Sequence, residues 1–220
     1  MDYQALWLTF RLAFCTTVIL LLIGVPFAYW LATTRWWGRF LVEAVVALPI
    51  LLPPTVIGFY VLWFTGPYSP VGRGYETLTG SSLPFSFAGI LLGSVIFNFP
   101  FAVRPFVAAF ESVDVRLVEA SKNLGAGWFR TFCCVILPLA SRGILAGMVL
   151  SFAHTIGEFG VVLMVGGSIP GVTRTISIVI YDDVQSLNYA AAHQTSFVLL
   201  GFSYLSLCVV YRLQRRPVTL

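Results

Sequence analysis

Residues 12–34 read LAFCTTVILLLIGVPFAYWLATT, 23 positions without one charged side chain. An α-helix crosses about 30 Å of hydrocarbon with roughly 20 such residues at 1.5 Å each, so this stretch alone sets the fold class as helices in a bilayer. Three further stretches, 44–72, 77–103 and 184–211, are equally free of charge, and 143–166 is interrupted only by Glu158. Each reads as one helix trimmed by its Gly- and Pro-rich ends. The expectation is an all-α polytopic membrane protein of about five transmembrane helices, with residues 1–220 forming a single transmembrane domain. Residues 66–74 and 166–171 are rich in Gly and Pro and predict irregular loops.

Composition excludes a water-soluble globular domain: 58% of residues are hydrophobic and 10% charged, against about 45–50% and 25% in soluble domains. A net charge of +4 on so apolar a chain bears on membrane orientation and gives no sign of a nucleic-acid partner. Cys15, Cys133, Cys134 and Cys208 show no CxxC spacing, which supports neither a disulfide framework nor a metal site.

Cations sort between alternate connecting segments. One set holds Arg35, Arg39, Arg116, Lys122, Arg130, Arg142, Arg212, Arg215 and Arg216, nine in all, and the other only Arg73 and Arg174, with Arg11 and Arg104 inside or at the edge of helices. Lys- and Arg-rich loops stay cytoplasmic, which predicts an N-terminus outside and a C-terminus in the cytoplasm. A cleaved signal peptide is the alternative reading of the first thirty residues. It fits poorly, because Met1-Asp2 is acidic and the apolar run exceeds the 7–15 residues of a signal core.

Residues 111–142 form the longest soluble segment, and their spacing predicts two short helices. Val115 with Val118, and Leu117 with Ser121 and Leu124, recur at helical intervals, and Gly125 stands where a left-handed residue ends such a helix. Trp128, Phe132, Val135 and Ile136 then repeat at i, i+4, i+7 and i+8 up to Pro138, which disfavours helical backbone at its predecessor. Periodicity by itself fits a rigid docking element and an amphipathic connector on the headgroups equally.

Residue identities separate those two. Glu119-Ala120-Ser121, Gly125 and Val135-Ile136-Leu137-Pro138 resemble the EAA loop of ABC importer permeases: Glu-Ala-Ala, three residues, Gly, nine residues, Ile-x-Leu-Pro. Ser121 replaces the third-position Ala, and Val135 replaces Ile. The resemblance implies a type I ABC importer permease fold with a cytoplasmic coupling loop at 111–142, in which Glu119, Ala120, Ser121, Gly125, Leu137 and Pro138 serve contact with a cytoplasmic ATPase subunit. It extends to residues 48–58 (LPILLPPTVIG), 157–160 (GEFG) and 169–176 (IPGVTRTI), which look like the molybdate permease family. Tungstate and sulfate permeases are the near relatives, and the compact length favours the molybdate group. Further implications are a second copy of the chain, an extracytoplasmic oxyanion-binding protein, a bacterial inner membrane location and transport by alternating access. ATP and Mg would sit on the partner ATPase, with no cofactor bound by this chain.

The chain's own chemistry is bare. Its only lysine, Lys122, lies between Ser121 and Asn123, outside any Walker A pattern, and His154 and His193 fall in no HExxH. No GxSxG is present either. An enzyme is therefore disfavoured, while a stand-alone secondary transporter or channel is the rival of a different class and would move its substrate without an ATPase.

Polar residues inside the apolar runs are candidates for a pathway or gate, since an ionisable group there costs about 2.5–3.5 kcal/mol on insertion scales. Gly143, Gly147, Ser151 and Thr155 form a small-residue ladder that lets another helix approach. Beside it Ser151, His154 and Glu158 make one polar stripe, with His154 and Glu158 at i, i+4. Two readings of Glu158 stand: a hydrogen bond to a neighbouring helix, or a pair with Arg174 or Arg11 forming part of a gate. Arg104 either snorkels to the interface or contacts an oxyanion. Pro49, Pro53 and Pro54 each remove a backbone N–H, which predicts kinks or a short break, and broken backbone at membrane depth suits a pathway wall.

Overall fold

The computed structural model describes residues 2–214, and every regular element among them is helical. Arg215 and Arg216, which belong to the cation-rich set, lie outside the described residues. Among the described residues four continuous helices are long and apolar enough to span a bilayer, and a bent pair makes a fifth candidate if it is counted as one span.

The first span, α1, runs over Tyr3–Thr33, capped by Asp2, whose carboxylate accepts from the backbone N–H of Gln4 and Ala5 at 3.0 Å. The second apolar run is two helices, α2 (Arg39–Leu51) and α3 (Pro54–Thr65), with axes bent by 109°. This corrects the single-helix reading of 44–72 and meets the break expected from its prolines. A residue before proline is pushed out of the helical region. Leu52 precedes Pro53 and Pro53 precedes Pro54, so both are extended, at ψ 142° and 136°.

The 66–74 segment is more ordered than an irregular loop: Ser69 caps a short helix, α4 (Pro70–Thr79), which ends on Gly80 at φ +70°. Consequently the third span starts later than the apolar run 77–103. It is α5 (Phe87–Glu111), capped by Ser86 and continuing past Arg104.

After α6 (Val115–Asn123) the chain turns at Gly125, and helix then continues from Trp128 to Ile156 through α7 (Trp128–Thr131), a π turn at Phe132–Ile136, and α8 (Leu137–Ile156). Pro138 therefore does not end a helix. Its ring would clash with the carbonyl four residues back in α geometry. The wider turn relieves this, with the Leu137 N–H donating to the Phe132 carbonyl, five residues back.

Nor is 143–166 one helix. Residues 157–159 break it, and α9 (Gly160–Gly166) follows. α10 (Ile176–Gln185) and the last span, α11 (Tyr189–Gln214), divide the final apolar run at residues 186–188, later than its start at 184.

The centre of the bundle is α1, α5 and α8 around Phe106, which is fully buried with Leu20, Ala28, Ala102, Val103 and Ala140. The small-residue ladder faces α5: a Cβ on Gly143 would lie 2.5 Å from the Ala109 Cβ, and one on Gly147 would lie 2.8 Å from the Phe106 ring. The broken elements also pair, since α3 packs on α9, and a Cβ on Gly58 would lie 2.6 Å from the Met164 Cβ.

Candidate functional site

Two groups of candidate residues occupy separate places in the fold. The first is the loop at 111–142. Asp114 caps α6 by accepting from the Arg116 N–H at 2.8 Å. At its other end Gly125 has φ +80°, with its N–H on the Lys122 carbonyl (2.9 Å) and the Ala126 N–H on the Ser121 carbonyl (3.1 Å). Those two bonds close a Schellman turn, which needs a residue tolerant of left-handed backbone.

Glu119 and Ala120 project from α6 into the open, and no residue of α6 is buried. Leu117, Leu124, Trp128 and Phe129 expose an apolar surface beside them, Leu124 at 88%. The element is nevertheless held in place. Ser121 Oγ is 3.0 Å from Thr131 Oγ1, Trp128 stacks on Phe132, and Phe132 packs edge-on against Tyr29 of α1. Leu137 reaches the core while Pro138 stays on the surface. At the same end of the bundle, Arg39 at the start of α2 pairs with Glu43 and with Glu111 at the end of α5.

The second group lines a cleft of about 710 Å³ between α3, α5, α8, α9 and α11, where Pro54, Thr55, His154 and Glu158 meet. Both breaks in the spanning helices border it, and a Cβ on Gly160 would lie 2.8 Å from the Pro54 Cβ. Non-helical backbone at membrane depth occurs where it is buried in protein or lines a water-filled cavity.

His154 and Glu158 do not bond to each other across a helical turn, because Glu158 has left the helix. Asn98 of α5 joins them: its Nδ2 donates to Glu158 Oε2 at 2.8 Å, and its Oδ1 lies 2.8 Å from His154 Nδ1. Asn98 is fully buried and Glu158 only 4% exposed. The His154 ring also stacks on Phe101, with centroids 3.9 Å apart.

The arginines expected near Glu158 are elsewhere. Arg174 pairs with Asp182 at 3.1 Å, and Arg11 lies 4.3 Å over the Phe87 ring. Glu158 is thus hydrogen-bonded to Asn98 and has no ion pair among the described residues. Ser151 bonds back to the Gly147 carbonyl within the α5–α8 contact and is absent from the cleft lining. Arg104 borders a different, smaller cavity of about 220 Å³ shared with Arg39, Glu43 and Glu111.

Residues 20–217 match the family described as "Binding-protein-dependent transport system inner membrane component". The chain belongs to this family.

Its relatives include the molybdenum transport system permease protein ModB of Azotobacter vinelandii, 46% identical over 214 residues, covering 97% of this chain and 95% of that one. ModB of Escherichia coli K12 is 36% identical over 185 residues, covering 84% and 81%. The sulfate transport system permease protein CysT of the same organism is 32% identical over 206 residues, covering 93% and 73%. Among solved structures, the inward-facing MetNI methionine ABC transporter superposes with a TM-score of 0.74 at 19% identity, covering 98% of this chain and 97% of that one. A bacterial alginate ABC transporter in complex with a pentasaccharide-bound periplasmic protein gives 0.73 at 17% identity, covering 96% and 76%. The fold is that of an ABC transporter permease, and this transport component is a multi-pass membrane protein.

Two features of this family member escaped sequence reasoning. Asn98 lies in a run defined by its lack of charge, so a search for ionisable groups passes over it. The usable signal was an amide in that run four residues after Ser94, whose carbonyl accepts from Asn98 Nδ2 at 2.9 Å. The Arg39–Glu111 pair spans 72 residues and has no local pattern.

Proposed function

We infer that this chain is the membrane-spanning permease subunit of an ATP-driven importer for molybdate, passing the oxyanion into the cytoplasm by alternating access. The 46% identity to a molybdenum transport permease over 97% of the chain carries the substrate. Sulfate permeases match at lower identity and only over about three quarters of their own length.

ATP hydrolysis comes from a separate cytoplasmic subunit. α6, with Glu119, Ala120 and Ser121, is the element that docks on it, and Gly125, Leu137 and Pro138 hold that element's angle to α8. Support comes from the exposed apolar surface around a capped helix fixed at both ends. Closing the ATPase pair moves α6, and the joined α7–α8 rod passes the displacement to α5 through the Gly143 and Gly147 contacts. The helix breaks at residues 52–53 and 157–159 form the wall that opens and closes. A second copy of the chain completes the pathway, an outside binding protein delivers the anion, and the cation-rich end faces the cytoplasm of a bacterial inner membrane. Pro53, Pro54, His154 and Glu158 belong to the pathway, whereas Arg104 and Arg174 act away from it.

Purification of the permease from native membranes tests this reading. An ATPase subunit is expected to accompany it at equal copy number, and a permease that purifies alone while still supporting molybdate uptake contradicts it.

A further inference from the structure

The Asn98 amide fixes the proton on His154. Its two N–H bonds go to the Ser94 carbonyl at 2.9 Å and to Glu158 Oε2 at 2.8 Å, leaving Oδ1 to face His154 Nδ1 at 2.8 Å. Reversing the amide would set its oxygen against two other acceptors. An oxygen opposite Nδ1 requires hydrogen on Nδ1, so the neutral ring presents a bare lone pair at Nε2. Nε2 has no partner among the described residues, and the ring borders the cleft.

An oxyanion offers only acceptor oxygens, and a bare Nε2 offers it nothing. Among the described residues α3, α5, α9 and α11 contribute no titratable side chain to the cleft lining, which leaves His154 and Glu158 as its titratable groups. Glu158 Oε1 is buried and has no hydrogen-bond partner among the described residues, so a negative charge on it would stand little screened against an incoming anion. One proton resolves both conflicts. Placed on Nε2 it makes an N–H donor, and the imidazolium charge offsets a negative charge on Glu158. The start of α3 at Pro54, on the rim of the same cleft, adds the positive end of a helix dipole.

We propose that this cleft takes the oxyanion together with one proton, shared between an anion oxygen and His154 Nε2. The proposal rests on the reading of the chain as an oxyanion permease. No covalent bond forms or breaks: the proton arrives from water or on the anion and leaves with it. His154 is the contact, and Asn98 and Glu158 are positioning residues that act through it.

The test is calorimetric titration of sodium molybdate into the detergent-solubilised permease–ATPase complex, without binding protein, in two buffers of different ionisation enthalpy at several pH values. The wild-type complex is expected to take up one proton per anion at the alkaline end, where affinity falls about tenfold per pH unit. His154→Gln is expected to weaken binding at least tenfold. His154→Lys, which supplies a permanent N–H cation, is expected to keep the affinity and abolish both the proton uptake and the pH slope. Proton-free binding by the wild type, proton uptake that persists in His154→Lys, or no binding at any pH overturns the proposal. Parallel uptake by proteoliposomes carrying ATPase and binding protein separates the two readings. Uptake beside proton-free binding sinks the proton alone, and absence of uptake sinks the permease reading with it.

Discussion

Ser121 Oγ and Thr131 Oγ1 face each other at 3.0 Å across the Gly125 turn, tying α6 to the foot of the span that ends at Ile156. The consequence is mechanical. A push on α6 cannot be absorbed by the turn, because its two capping bonds and this contact fix the angle between α6 and α7. Replacement of the motif's usual Ala by Ser at 121 therefore adds a contact instead of removing one.

At Gly125 a Cβ would meet nothing within 4 Å, so any penalty there is backbone strain at φ +80°. Gly125→Ala is expected to cost about 1 kcal/mol and to reduce binding-protein-stimulated ATP hydrolysis partially. Gly125→Asp adds a charge beside the docking surface and is expected to abolish stimulation, with membrane insertion unchanged by quantitative immunoblot. Normal stimulation in Gly125→Asp would remove this turn from the transmission route.

Glu119 is exposed and no hydrogen bond or ion pair engages its side chain among the described residues. Glu119→Lys is thus expected to leave the melting temperature in detergent within error while lowering the ATPase retained on the permease after extraction. A drop in melting temperature with full retention would make Glu119 a structural residue.

The α5–α8 contact predicts a purely structural lesion. Gly143→Leu forces a side chain into Ala109, whose Cβ would lie only 2.5 Å from a Cβ at position 143. Overpacking of this kind costs about 1–3 kcal/mol. Thermal unfolding in detergent should show the loss, and Leu145, exposed on the same helix, provides the control as Leu145→Ala with little change.

Asn98→Leu keeps the volume and removes three side-chain hydrogen bonds, orphaning Glu158 Oε2 and His154 Nδ1 and taking one donor from the Ser94 carbonyl. Each buried group left unsatisfied costs roughly 1–3 kcal/mol, so a lower melting temperature is expected. Adding Glu158→Leu should recover part of it, because the uncompensated carboxylate then disappears. No recovery in the double variant would place the cost in packing instead of polarity.

Much of this was legible from the chain. Charge-free runs located the spans because lipid admits little else, and the motif spacing located the Gly125 turn because positive φ selects glycine. Break positions were only half legible: Pro53-Pro54 announced theirs, whereas residues 157–159 break where α9 turns to pack on α3, a tertiary effect without local signature. The Glu158 partner was illegible for a related reason. Arg174 and Arg11 found nearer partners in Asp182 and the Phe87 ring, and a neutral amide 60 residues away took the carboxylate.

The most direct measurement of the central claim is radiolabelled molybdate uptake into proteoliposomes holding the permease, assembled with and without its ATPase, with ATP enclosed and loaded binding protein outside. Uptake is predicted only in the complete assembly, and it should disappear in the Gly125→Asp permease while the protein remains inserted. Concentrative uptake by the permease alone, indifferent to ATP and to that substitution, would contradict the account and make the chain a self-sufficient transporter.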